Sequence, residues 1–151
     1  MNKIDLLSQL EQTKAETISF FDLNDAELAM NYGEGKWTIR QILHHLTDTE
    51  LVLHTRIKKV IAEPKQLITV FDQDDWDKAF DYFHEPLGIK KQAYQIGCQL
   101  NYELTDKYYE PYGQKEFIHS ETGLRTLKEE FEKIAWHNQK HIDQIKLALS
   151  K

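Results

Sequence analysis

His137 and His141, in WHNQKHIDQI (residues 136–145), stand four positions apart near the end of a 151-residue chain. On a helix this spacing stacks two imidazoles on one face with Cβ atoms about 6 Å apart, close enough to chelate one metal ion. With Leu127, Phe131, Ile134 and Ile145 as the buried centre of that helix, His141 falls inside the apolar stripe and His137 at its edge. Rings in such a position are costly without a partner. A hydrogen-bonded core histidine beside a surface one would have the same spacing, and two ligands alone seldom make a site.

A third ligand has to come from another element. ILHHLTDTE (residues 42–50) offers His44 and His45, and His54 follows nine positions after His45. Adjacent helix positions point about 100° apart, so the doublet cannot face one partner. The apolar stripe of this segment has His45 on one flank and His54 on the other, with His44 toward solvent; spacing does not choose between the two flanks. Asp48, one turn after His45, suits a ligand, an acceptor for a ring N–H or a solvated acid. Glu50 falls inside the stripe between Leu46 and Leu53, where an unpaired carboxylate is costly, so it points to a polar pocket or to pairing with Arg40 or Arg56.

These side chains need long helices to hold them. Three prolines and six glycines fall in clusters that cut the chain into four long helical stretches. The first runs from Ile4 to about Phe21, with Ile4, Leu7, Leu10, Ala15 and Ile18 at helical spacing. The second starts at Thr38, where Thr38 and Gln41 match a capping box, and runs about six turns to Ala62, ended by Pro64. Its stripe is Ile39, Ile42, Leu43, Leu46, Leu53, Ile57, Val60 and Ile61. An acidic, aromatic crossover, TVFDQDDWDKAFDYFHEPLG, carries a short helix near Asp74–Phe80. A third helix spans about Ile89 to Tyr108, with Ala93, Ile96, Leu100 and Leu104 in step, broken by YYEPYGQ. The last spans about Gly123 or Leu124 to Leu149. The expectation is an all-α, single-domain four-helix bundle over residues 1–151 with one long crossover between the second and third helices, an architecture whose interior commonly holds metal sites.

Composition narrows the partners. With 19 Lys+Arg against 25 Asp+Glu the net charge is -6, which argues against nucleic acid. No apolar run approaches the roughly 20 residues that span a bilayer, and no export signal is visible. The one cysteine, Cys98, fits a reducing compartment, so a cytoplasmic location is expected. Cys98 reads as a small buried residue, Trp37, Trp76 and Trp136 as packing or pocket walls, and His84 and His119 as solvated loop residues. DQDDWD lacks the spacing and glycine of a calcium loop.

GKWTIRQILHHLTDTELVLHTRIK, FDQDDW and AWHNQKHIDQI, in this order and at these separations, resemble the DinB-like superfamily and most closely its bacillithiol S-transferase group. The shared pattern is Trp-Ser/Thr opening the second helix, His-Leu-x-Asp within it, an acidic patch ending in Trp in the crossover, and Trp-His-x-x-x-His on the last helix. The resemblance implies one divalent metal held by the histidine before Leu-x-Asp and the two on the last helix, here His45, His137 and His141. Lys140 departs from the transferase pattern, which commonly has a histidine there. Three imidazoles from two helices leave coordination positions open, as in catalytic sites. The expected activity is transfer of a low-molecular-weight thiol to an electrophile, with Asp48 and Glu50 orienting a ring or moving a proton. The same ligands would serve a hydrolase activating water, or a metal-binding module without turnover. Zinc and nickel are the leading metals, with iron, manganese and copper also compatible, and a homodimer is implied by the family.

Overall fold

The computed structural model describes residues 1–63 and 67–151. Four long helices form a bundle: α1 (Lys3–Phe20), α3 (Ile39–Ala62), α5 (Lys90–Tyr112) and α6 (Leu127–Leu149). Two short helices, α2 (Asp25–Leu28) and α4 (Gln73–Ala79), lie in the connections. α1 and α3 each pack against both α5 and α6. The expected bundle and crossover helix are present. Pro64, the expected stop of α3, lies outside the described residues.

Local chemistry accounts for the helix starts. Thr38 and Gln41 form the expected capping box: the Thr38 amide donates to Gln41 Oε1 (2.8 Å) and the Gln41 amide to Thr38 Oγ1 (3.3 Å). Gln41 also donates through Nε2 to Asp77 (3.0 Å), tying the crossover to the first turn of α3. Asn2 caps α1 and Asp72 caps α4, each accepting a backbone N–H three residues on (2.9 Å).

Three expectations about the elements change. A small sheet was not anticipated: β1 (Leu67–Ile68) pairs parallel with β2 (Glu116–His119), which pairs antiparallel with β3 (Gly123–Thr126). Because residues 123–126 form β3, α6 begins at Leu127 rather than Gly123 or Leu124, and the Thr126 amide donates to Glu129 at its first turn (2.8 Å). α5 does end inside YYEPYGQ, but at Tyr112 rather than about Tyr108, so Pro111 lies within the helix. Pro111 sits one residue from the helix end, where its missing N–H removes at most one ladder bond, and Gly113 is the C-cap. The stripes of α1 and α5 are also rotated from expectation. Ile4 is 77% exposed and Ile96 61%, whereas Leu6, Leu10, Thr13 and Thr17 are buried on α1, and Tyr94, Gly97, Asn101 and Thr105 on α5. Polar residues occupy core positions in both helices, which is what hid the true period.

Those polar positions coincide. The core consists of two hydrophobic clusters, one around Leu6, Leu53, Ile57, Phe131 and Ile134, the other around Phe20, Ile42, Leu46, Tyr94 and Ile145. Between them along the helices lie Thr13 and Thr17 of α1, Glu50 of α3, Asn101 of α5 and Asn138 of α6, all buried. The bundle is therefore apolar, then polar, then apolar along its length. Glu50 accepts from Asn138 Nδ2 at Oε1 (2.7 Å) and from Asn101 Nδ2 at Oε2 (2.6 Å), and Tyr94 donates to Asn138 Oδ1 (2.8 Å). At this level a Cβ on Gly97 would stand 3.0 Å from the Glu50 Cβ, so only glycine lets α5 approach α3 this closely.

Candidate metal centre

His45 of α3 and His137 and His141 of α6 converge. Their ligand atoms lie within 4.8 Å of one another, the one cluster of this kind among the described residues. His45 Nε2 is 2.9 Å from His137 Nε2, which is 3.2 Å from His141 Nε2. Three nitrogens about 2.0–2.1 Å from a tetrahedral ion would be separated by slightly over 3 Å, so the spacing fits a shared metal. His54, left open by spacing, turns to α5, where its Nδ1 meets Asn101 Oδ1 (3.0 Å).

The protonation logic also fits. The His141 Nδ1–H donates to Gln144 Oε1 (2.7 Å), which places the ring proton on Nδ1 and leaves the Nε2 lone pair free toward the cluster. His137 Nδ1 is buried with no hydrogen-bond partner among the described residues, so no protein acceptor makes His137 an ordinary satisfied core histidine. Burial, then the His141 imidazole and Lys140, pushes His45 down to about 3. Burial, then His141 and His45, pushes His137 down to about 2. Burial also lowers His141 to about 4, opposed by its bond to Gln144. All three are neutral at pH 7, and neutral imidazoles with facing lone pairs are what a cation needs.

Aromatic rings close the site. The Phe71 ring stacks on His45 with centroids 5.8 Å apart, and Trp37 meets His45 edge-on at 5.1 Å. A cavity of about 200 Å³ opens beside His45 and His137, bordered by Arg56, His119, Glu121 and Lys133. A larger groove of about 470 Å³, with Trp76 and Leu67 on its walls, shares Val52, Arg56, Val70 and Phe71 with that cavity.

The other predicted residues fall elsewhere. Asp48 does not join the three nitrogens; it accepts a short hydrogen bond from the Tyr82 hydroxyl, and burial raises its carboxyl. Glu50 lies in the polar layer described above, paired with neither Arg40 nor Arg56, its carboxyl raised by burial against the two asparagine bonds. Arg40 instead pairs with Asp25 (3.1 Å) and Arg56 donates to Thr69 O (2.9 Å). His44 does not face solvent. It is fully buried, donating from Nε2 to Glu85 O (2.8 Å), accepting at Nδ1 from Lys90 (3.1 Å) and stacking on Tyr82. The crossover folds over this face of α3, which a helical wheel of α3 alone does not show. His119 is likewise on β2 and 6% exposed rather than solvated, whereas His84 is exposed beside Asp81 as expected. Trp136 is 61% exposed under Lys140 and stands on the wall of a separate cavity of about 490 Å³, beside Gln9 and Glu132. Cys98 is half-buried, its thiol pushed up by burial and by Glu50.

Sequence reasoning missed Gln144, Phe71 and the basic residues of the cavity. Gln144 carried a signal, being three residues after His141 on the same helix face. Phe71 and His119 carried none, since the unanticipated sheet and crossover place them.

The sequence profile of the DinB superfamily matches residues 9–145. The chain belongs to the DinB superfamily. A protein of Oceanobacillus iheyensis named as a candidate metal-dependent hydrolase is 32% identical over 143 residues, covering 89% of this chain and 76% of its own. The corresponding protein YfiT of Bacillus subtilis is 27% identical over 128 residues, covering 82% of this chain and 70% of its own. A solved structure of YfiT, described as a candidate metal-dependent hydrolase with an unusual four-helix-bundle topology, superposes with a TM-score of 0.87 at 25% identity. It covers 98% of this chain and 86% of that one. Membership bears out the resemblance to the superfamily drawn from the motifs. Among the described residues, no helix is long and apolar enough to cross a membrane.

Proposed function

We propose that this protein is a metal-dependent enzyme that activates a small nucleophile at His45, His137 and His141. The observation that carries the reading is the convergence of three neutral Nε2 atoms that have one another and, among the described residues, no protein donor other than the marginal Thr49 hydroxyl (3.4 Å from His45 Nε2), within hydrogen-bond distance. A divalent ion bound there supplies Lewis acidity that favours the deprotonated form of a thiol or of water near neutral pH. The chain's residues do the rest. Gln144 fixes the His141 ring, while Phe71 and Trp37 cover His45 and limit access of bulk water. Glu50 acts as a positioning residue: through Asn138, next to His137, it holds α6 in register with α3. Asp48 does the same for the crossover through Tyr82.

The first choice of nucleophile is a low-molecular-weight thiol of the bacillithiol type, which would lose its proton to solvent and attack an electrophilic carbon as the bond to that carbon's leaving group breaks, releasing chloride or opening an epoxide to an alcohol; the motif set shared with the transferase group supports this choice. Thiol transfer asks for no separate base once the thiolate has formed. Hydrolysis is the second reading, favoured by the names of the relatives and by Glu121, a carboxylate on the cavity wall that would take a proton from water. Untagged protein is expected to carry about one divalent ion, lost in His45→Ala. Incubation with small thiols and a chlorinated or epoxide electrophile then reads the reaction. Metal-dependent thiol consumption that is indifferent to Glu121→Gln supports transfer. Ester or amide cleavage that drops at least a hundredfold in Glu121→Gln supports hydrolysis. A metal-free protein with no stoichiometric uptake of zinc or nickel would overturn both.

A further inference from the structure

The cavity beside the histidines has a basic wall that the proposed chemistry does not use. Lys133, His137 and His141 continue one row of four-residue steps on α6, so the Lys133 side chain starts about 6 Å from that of His137. Arg56 reaches the same cavity from α3 and is 8% exposed, its guanidinium having, among the described residues, one hydrogen bond, to Thr69 O. His119 completes the wall. Its Nδ1 accepts from the backbone amides of Glu121 (3.1 Å) and Thr122 (3.3 Å), so the ring proton sits on Nε2. That Nε2–H has no acceptor among the described residues, although the residue is only 6% exposed and borders the cavity.

Behind the wall, Glu130 is 1% exposed and lies 3.6 Å from Arg125 Nε and 3.9 Å from Lys133 Nζ, with neither oxygen hydrogen-bonded among the described residues. Arg125 is also 3.8 Å from Glu129 and does not line the cavity. The cavity wall itself carries Arg56, Lys133 and His119, with the exposed Glu121 at the rim as the one acid among its lining residues. Two cations and an imidazole N–H converging on one space suit an anionic guest. A divalent ion at three neutral imidazoles would add charge of the same sign as Arg56 and Lys133.

We infer that Arg56, Lys133 and the His119 Nε2–H form a recognition site for a carboxylate carried by the substrate, set a few carbon atoms from the group that reaches the metal. The class of substrate is therefore a small acid: a thiol bearing a carboxylate, or an acid with a cleavable bond nearby. A planar carboxylate matches the guanidinium fork, with the ammonium and the imidazole N–H as further donors. The inference rests on the metal reading only for the position of the second group, because the basic wall exists without it.

The test compares two probes that differ in one charge. Protein loaded with cobalt(II) is titrated with 3-mercaptopropionate and with 3-mercaptopropionamide, and the thiolate-to-cobalt absorption band gives the affinities. The acid is expected to bind at least tenfold more tightly than the amide, a preference that shrinks with salt, halves or more in Arg56→Lys and disappears in Lys133→Met. Equal affinities, or a preference that survives Lys133→Met in a protein of unchanged melting temperature, would overturn the inference. Failure of the metal reading shows itself separately, as no absorption band with either thiol. The metal-free protein then decides: stabilisation by succinate but not succinamide, absent in Lys133→Met, supports the basic site on its own, and no difference between the two overturns it.

Discussion

α3 presents two buried polar clusters on different faces, and they differ in how complete they are. Around Glu50 the charged group is fully partnered: both carboxylate oxygens accept from asparagine amides, and Asn138 accepts in turn from Tyr94, while the Thr17 hydroxyl at the same level has no partner among the described residues. Around His45 three Nε2 atoms of neutral rings converge on one another. The first cluster ties a carboxylate to amide donors and holds helices together. The second gathers groups that can all act as acceptors, which is the arrangement that suits a cation. Buried polarity alone therefore does not mark a candidate site; convergence of like groups does.

The comparison breaks most sharply on metal affinity. His137→Ala is expected to lower affinity for zinc or nickel roughly a thousandfold, about 4 kcal/mol, in competition titrations with a chelator, while Glu50→Ala leaves the stoichiometry at one. Acid should separate the clusters next. The three clustered histidines have folded pKa values of about 3, 2 and 4, below an unfolded value near 6.5. The unfolded state therefore binds more protons, and metal-free protein loses stability as pH falls below about 6.5. Urea titrations at pH 7 and 5 should differ by roughly 3 kcal/mol once water entry is allowed for, and the difference should shrink in His45→Ala/His137→Ala. Glu50 works in the opposite direction, because its raised carboxyl favours the folded state on acidification.

Glu50→Ala should cost about 2–3 kcal/mol in urea unfolding by stranding two buried amides, whereas exposed Glu34 replaced by alanine should cost almost nothing. The smallest effect expected is that of Gln144→Ala. Losing the acceptor that orients His141 should weaken metal binding about tenfold with no change in urea midpoint of the metal-free protein.

The sequence carried the three-histidine cluster through motif order, since two histidines on α6 repeat at the helical period and His45 stands at the family's motif position. It carried α3 almost residue by residue, because the Thr38–Gln41 box is a local device and the stripe is nearly pure. It did not carry the exposure of His44 or His119, because the crossover and the sheet that bury them are long-range arrangements. Nor did it carry the faces of α1 and α5. Thr13, Thr17 and Asn101 look like surface residues until the polar layer they share with Glu50 is assembled from four helices. The same layer explains Glu50, whose position in the stripe signalled a polar pocket while its partners came from helices far away in sequence.

Gln41 serves two masters: its side-chain oxygen closes the first turn of α3, and its amide nitrogen grips Asp77 in the crossover. The helix start that precedes His45 by less than two turns and the segment that brings Phe71 over that ring are thus coupled in their opening. Local unfolding of the crossover should release the first-turn amides of α3 as well, so the two regions should share one hydrogen-exchange rate and report a single gating motion over the histidines.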